Sequence, residues 1–377
     1  MAEKKKRRKY LNRNPLLNGF VLLKIKSYAD GKSLKFDSSS HKPFWDITNA
    51  AINGHLALMK WLHSHPTFNK ISVDTNSARA MNVAAMRGFI EVVEWLHEKR
   101  LGKCTCYAMD CAAMGGYLRL VEWLHNNRSE GCTALAMDGA SAKGHLSVVE
   151  FLHAHHPARC SQRAMNSAAE FGHLDVVEWL HSHRFEGCTI AAMDRAARSG
   201  DLRMIEWLHK NRTEGCSTRA MGHAAKRGHL HVLKWLHQNR AEGCSIHAIS
   251  YAAGGGHLHV VEWLHANYHK QCQHRSGGRW SRHPCTITAM NRAARGGHLR
   301  IIKWLHAHCY GGCTLTAMNR GAKNGHLNVV EWLHTNTSHV DLVGARQHAE
   351  RAGRVEVMEY LSMHSRCPEL CRGLAEI

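Results

Sequence analysis

The side chains best suited to chemistry in this sequence are its imidazoles and thiols, 33 histidines and 14 cysteines, which could hold a metal ion or move protons. One stretch gathers four of them: Cys272, His274, His283 and Cys285 run in the order C-x-H-x8-H-x-C. Thiolate and imidazole build tetrahedral zinc sites, and the residues between could fold back to close one. The spacing matches no common zinc finger, however, and Cys285 also fills a slot that recurs along the chain. A basic loop is expected there rather than a metal site. Most other histidines return at fixed positions: ten stand two residues after a recurring aromatic, as His181 follows Trp179, and seven follow a glycine, as His173 follows Gly172. A residue that returns once per repeat is a structural part, because catalysis needs one constellation and metal ligands must converge within about 2 Å of a single ion. No phosphate-binding glycine loop, nucleophile elbow, zinc-protease histidine pair or isolated carboxylate pair appears. The chain is therefore expected to be no enzyme and to need no cofactor.

The frame that must position these residues is a repeat. Its aromatic marker falls at Trp61, Trp95, Trp123, Phe151, Trp179, Trp207, Trp235, Trp263, Trp304, Trp332 and Tyr360, and eight of the ten gaps are 28 residues. A fixed period of this size is the signature of a stacked-repeat solenoid. Two glycines cut each repeat into segments of about a dozen residues, as Gly187 and Gly200 do, which excludes one continuous helix and predicts two short antiparallel helices. The first opens on a Thr or Ser suited to N-capping and is small along its length (Ala192, Met193, Ala196, Ala197). A Gly-His-Leu turn follows, and then a second helix apolar over a wide face (Leu174, Val176, Val177, Trp179, Leu180), closed by Asn and Arg. The marker tryptophans are expected to be buried. Eight cysteines, Cys188 and Cys216 among them, share one slot. Neighbouring helices stand about 10 Å apart, too far for a disulfide, so these read as buried free thiols.

The string AAxxGHLxVVxxL, matched in Ala168–Leu180, Ala224–Leu236 and Ala252–Leu264, resembles the ankyrin repeat over roughly residues 44–362. The fold expected is all-α, an ankyrin-like helical repeat solenoid of about 11 helix-turn-helix units. Residues 1–42 are expected to be a basic tail and worn cap, 43–362 the array, with an inserted loop at about 268–284, and 363–377 a C-terminal tail. The 28-residue unit is shorter than the usual 33 or so, which predicts a tight loop such as Arg212–Cys216 in place of a projecting hairpin. The Thr-Pro-Leu-His opening is missing too; Met193–Asp194 or Met318–Asn319 stand where Leu-His would be. The resemblance implies a concave recognition face and a protein-binding role. Ankyrin arrays turn the variable slots of their first helices toward that face, and here those slots hold Arg195, His223, Tyr251, Arg292 and Arg320.

The formal charge of +20 favours an acidic partner. The function expected is a non-catalytic protein-protein interaction scaffold or adaptor that uses a basic concave surface on an acidic partner; a nucleic-acid or chromatin-associated binding protein is the alternative. Nine of the 11 tryptophans are helix markers, which removes most of the aromatic platforms that a single-strand binder needs. Lys4, Lys5, Lys6, Arg7, Arg8 and Lys9 resemble a monopartite nuclear-localisation signal, or serve as a solvated basic leader. No apolar run approaches the roughly 18–20 residues of a spanning helix, and the basic N-terminus does not read as a signal peptide. A monomer in the nucleus or cytoplasm, off the membrane, is expected.

Overall fold

A computed structural model describes residues 47–64, 78–156, 160–245, 247–274, 284–308, 315–337 and 341–365. Among these residues there are 22 α-helices and no strand. They form eleven pairs, such as Ala191–Ser199 with Leu202–Asn211 and Thr218–Arg227 with Leu230–Asn239. The fold is an all-α repeat solenoid. It divides into two compact blocks, Met1–Ala164 and Met165–Ile377. Within each block the first helices pack most closely against the first helices of adjacent repeats, while second helices touch one another far less. Side-chain size accounts for this: Ala192, Ala196 and Ala197 are fully covered and keep neighbouring backbones close, whereas the second helices present Leu and Trp.

Each turn between the helices is built to receive the next repeat. Gly228 ends its helix at φ 83°, in the left-handed region. A Cβ on Gly228 would fall 2.5 Å from Nδ1 of His257, the turn histidine one repeat on. The same ring position is filled by Phe89 and Tyr117 in the first block. From that position a turn residue also reaches a carbonyl at the end of the preceding first helix. His326 Nε2 lies 3.0 Å from the Arg295 oxygen, and Arg354 Nε donates to the Lys323 oxygen at 3.2 Å. Carbonyls that a helix C-terminus leaves unpaired are thus satisfied by the adjacent repeat.

The histidine two places after the marker builds a second ladder. Its ring meets the next marker edge-on, with centroids 5.3 Å apart for His181 and Trp207 and 5.2 Å for His209 and Trp235. One expectation is corrected here. Of the described marker tryptophans only Trp95 is fully buried; the others are half-buried, because one side of the indole packs on histidine while the other borders solvent.

The loop between repeats is short, as the missing residues require. Arg212 is extended, Gly215 has φ 71°, and the Arg212 guanidinium forks onto Glu214. The same Arg-x-Glu clasp recurs at Arg128–Glu130, Arg184–Glu186 and Arg240–Glu242. The arginine therefore pairs with a carboxylate. The asparagine before it serves the helix end instead, Asn211 Nδ2 donating to the Trp207 oxygen at 2.8 Å. Arg212 also approaches His181 Nδ1 at 3.3 Å.

The inserted loop expected at about 268–284 is helical at both of its described ends: one helix runs Leu258–His274 and the next begins at Pro284. Tyr268 explains the first extension. It occupies the slot that arginine fills in Arg240, is 7% exposed, and holds its hydroxyl 2.6 Å from His237 Nδ1. Burying that ring carries the helix past its usual stop.

Candidate partner-binding face

Two features of the first helix fix where its variable side chains stand. One is an acceptor just after the methionine. Asp194 takes the Ser217 N–H at 2.8 Å on one oxygen and the Ser217 hydroxyl at 2.6 Å on the other. The Ser217 hydroxyl in turn accepts from the Arg219 N–H at 3.1 Å, capping the next helix. The same arrangement joins Asp110 to Thr133 and Asp138 to Ser161, and Asn166 spans the same two groups of Thr189 with one bond reversed, its Oδ1 accepting the N–H and its Nδ2 donating to the hydroxyl oxygen. These acceptors are buried, Asp110 at 2% exposure, and each lies 23 residues before its Ser or Thr. The sequence reading noted Met193–Asp194 as a departure without pairing it; the constant offset of 23 residues was the available signal.

The other feature is the slot after that acceptor. Arg195, His223, Tyr251, Arg292 and Arg320 occupy it on successive first helices of the second block, and all five are half-buried. Arg195 bridges Glu170 at 3.1 Å, and Arg198 reaches the other oxygen of Glu170 at 3.4 Å. His223 Nδ1 lies 3.2 Å from the Asp194 backbone oxygen. Tyr251 packs against the bare backbone of Gly222, where a Cβ would lie 3.7 Å from the ring. Arg292 crosses Gly254 to set its guanidinium 4.6 Å from the Tyr251 ring centroid, a cation–π contact. The structure therefore brings His223, Tyr251 and Arg292 into one continuous strip and ties Arg195 to a carboxylate. Arg320 forms no ion pair among the described residues. Glu170, Gly222 and Gly254 shape this strip, and sequence reasoning missed all three.

Burial pushes the thiols of Cys104, Cys188 and Cys216 up to about 11, so they stay protonated and unreactive at neutral pH. Among the described residues no group of three His, Cys, Asp or Glu is placed to hold a metal ion. The candidate set Cys272, His274, His283 and Cys285 lies outside the residues whose side chains are described, as does the basic tail Lys4–Lys9. No helix among the described residues is long and apolar enough to cross a membrane.

Family models described as ankyrin repeats match residues 47–97, 132–181, 165–209, 193–237 and 223–265 in one form, and 249–344 in another. No curated protein matches the chain. Two similar solved structures are the pentatricopeptide repeat protein PPR10 in complex with an 18-nt psaJ RNA element and a triple Cys-to-Ser form of it with the same element. Each is 11% identical with a TM-score of 0.44, and the match covers 95% of this chain and 57% of that one.

Proposed function

Because the chain belongs to the ankyrin-repeat family, we propose that it acts as a non-catalytic scaffold or adaptor that binds a protein with an acidic surface through the basic, concave first-helix side of the array. The observation that carries this reading is the column of five variable side chains, Arg195, His223, Tyr251, Arg292 and Arg320, set on a frame that the histidine–tryptophan ladder repeats from unit to unit. Repeats of one shape stack on their neighbours and display an extended surface, so specificity resides in the slots that vary.

The experiment is a pull-down with the tagged full chain and with a variant carrying Ala at all five positions, each lysate being split and half of it treated with nuclease. The expected result is a set of proteins that survives nuclease and is at least tenfold depleted in the variant, whose helix content by circular dichroism is unchanged. Retained material that disappears with nuclease would replace this reading with nucleic-acid binding, to which the formal charge of +20 is equally suited.

A further inference from the structure

The charge on the second block is not spread evenly over its first helices. Four in succession, Thr218–Arg227, Ala248–Gly255, Pro284–Gly296 and Leu315–Asn324, carry seven Arg and Lys and not one Asp or Glu. The two helices before them, Gln162–Phe171 and Ala191–Ser199, are different: they hold Glu170 and Asp194, and Glu170 pairs with both Arg195 and Arg198. Lys226, Arg227, Arg295 and Lys323 are exposed, Arg292 and Arg320 half-buried, and none of these six forms an ion pair among the described residues. The second helices of the same repeats are closer to balance, with Lys234, Lys270, Arg300 and Lys303 set against Glu262 and Glu331 on the other side of the stack. The unbalanced charge is thus concentrated on the first-helix side of these four repeats.

Resting on the scaffold reading above, we infer that the strip from His223 to Lys323 takes an extended acidic polypeptide segment whose carboxylates fall at every third residue, one per repeat. Adjacent helices stand about 8–10 Å apart, and an extended chain advances about 3.3 Å per residue. Three residues of peptide therefore match one repeat. Arginine suits such an occupant because its guanidinium forks onto a carboxylate with two parallel hydrogen bonds. A single-stranded nucleic acid would also meet the charge, but it gains much of its affinity from bases stacked on aromatic rings. The aromatic ring in this strip is Tyr251, which packs on Gly222 and is covered by the Arg292 guanidinium. The tryptophans of the same repeats stand on the second helices, against histidine. The observations favour the peptide.

The test uses the purified full chain, fluorescence polarisation at 150 mM salt, and three labelled probes: a Gly/Ser peptide with four Glu spaced at every third residue, a peptide of the same composition with the four Glu contiguous, and a 12-nucleotide oligouridine. The spaced peptide is expected to bind at least tenfold tighter than either of the others. The double variant Arg292→Glu, Arg320→Glu should weaken it by tenfold or more. Lys234→Glu with Lys303→Glu, an equal change of charge on the second helices, should alter it less than twofold; circular dichroism checks that both variants keep their helix content. Equal binding of the two peptides overturns the spacing, tighter binding of oligouridine overturns the occupant, and equal losses in the two variants overturn the site. If no acidic peptide binds while the pull-down still depends on the five-residue column, this inference falls and the scaffold reading stands.

Discussion

Asp194 uses both of its carboxylate oxygens on one neighbour, Ser217, while it is only 5% exposed. Removing it strands the Ser217 N–H and hydroxyl at a junction between repeats. Leaving a buried polar group unsatisfied costs about 1–3 kcal/mol, so Asp194→Ala should lower stability by about 2 kcal/mol in urea unfolding. Asp194→Asn should recover most of that, because Asn166 engages the same two groups of Thr189 at 3.0 Å each, accepting from the N–H and donating to the hydroxyl oxygen. Equal losses from the two substitutions would mean that charge rather than the paired hydrogen bonds matters at this position. The end of the array shows the same rule from the other side. Asn319 precedes Leu342 by the usual offset, no hydroxyl stands there, and its Oδ1 is buried with no hydrogen-bond partner among the described residues. The acceptor was in plain view in the sequence, but its role was not, since a residue reads as a clasp only when its partner in the next repeat is known.

At the scale of the helix the clasp is interrupted twice in succession. Gly222 offers Ser245 no acceptor, and Ser250, next in that slot, turns its hydroxyl onto the His247 oxygen at 2.8 Å. Gly222 also lies inside the helix Thr218–Arg227, where glycine costs about 0.5–1 kcal/mol relative to alanine. Gly222→Asn should therefore stabilise the chain by about 1 kcal/mol, with slower hydrogen exchange at 245–250 where the restored clasp would act. A Cβ there would meet the Tyr251 ring at 3.7 Å, an ordinary contact. Faster exchange in that segment would show instead that Tyr251 needs the bare backbone. Helix pairs, turns and the tight loop were legible in the sequence because period, glycine and capping residues are local signals. The continuation of Leu258–His274 past its usual stop was not, because it depends on Tyr268 reaching His237, a contact between two repeats. The column of five slots could be placed from the period alone. The neutralising of Arg195 by Glu170 could not, since it joins side chains of two repeats.

For the molecule as a whole, the ladders couple stability to pH in one direction. Burial holds His229 and His257 below their ordinary value of 6.5, with His231 and Arg227 near the first and His259, His229 and His298 near the second adding to the effect. A group whose folded pKa is depressed takes up fewer protons folded than unfolded, so stability rises with pH across that window and is lost on acidification below 6.5. Glu242 acts in the same sense at lower pH: its hydrogen bond from Arg240 holds it down at about 2, so its contribution fades as pH falls below 4.5. Acid also adds charge to a chain already at +20, and salt screens that self-repulsion far more than it alters the desolvation of a half-buried imidazole. The melting midpoint should therefore drop between pH 7.5 and 5.5 even in 0.5 M salt, and the double variant His229→Gln, His257→Gln should flatten the drop. A midpoint constant across that range would sink the argument. A drop abolished by salt would assign the pH dependence to net charge, and with it remove the turn histidines as the groups through which the stacked repeats sense acid.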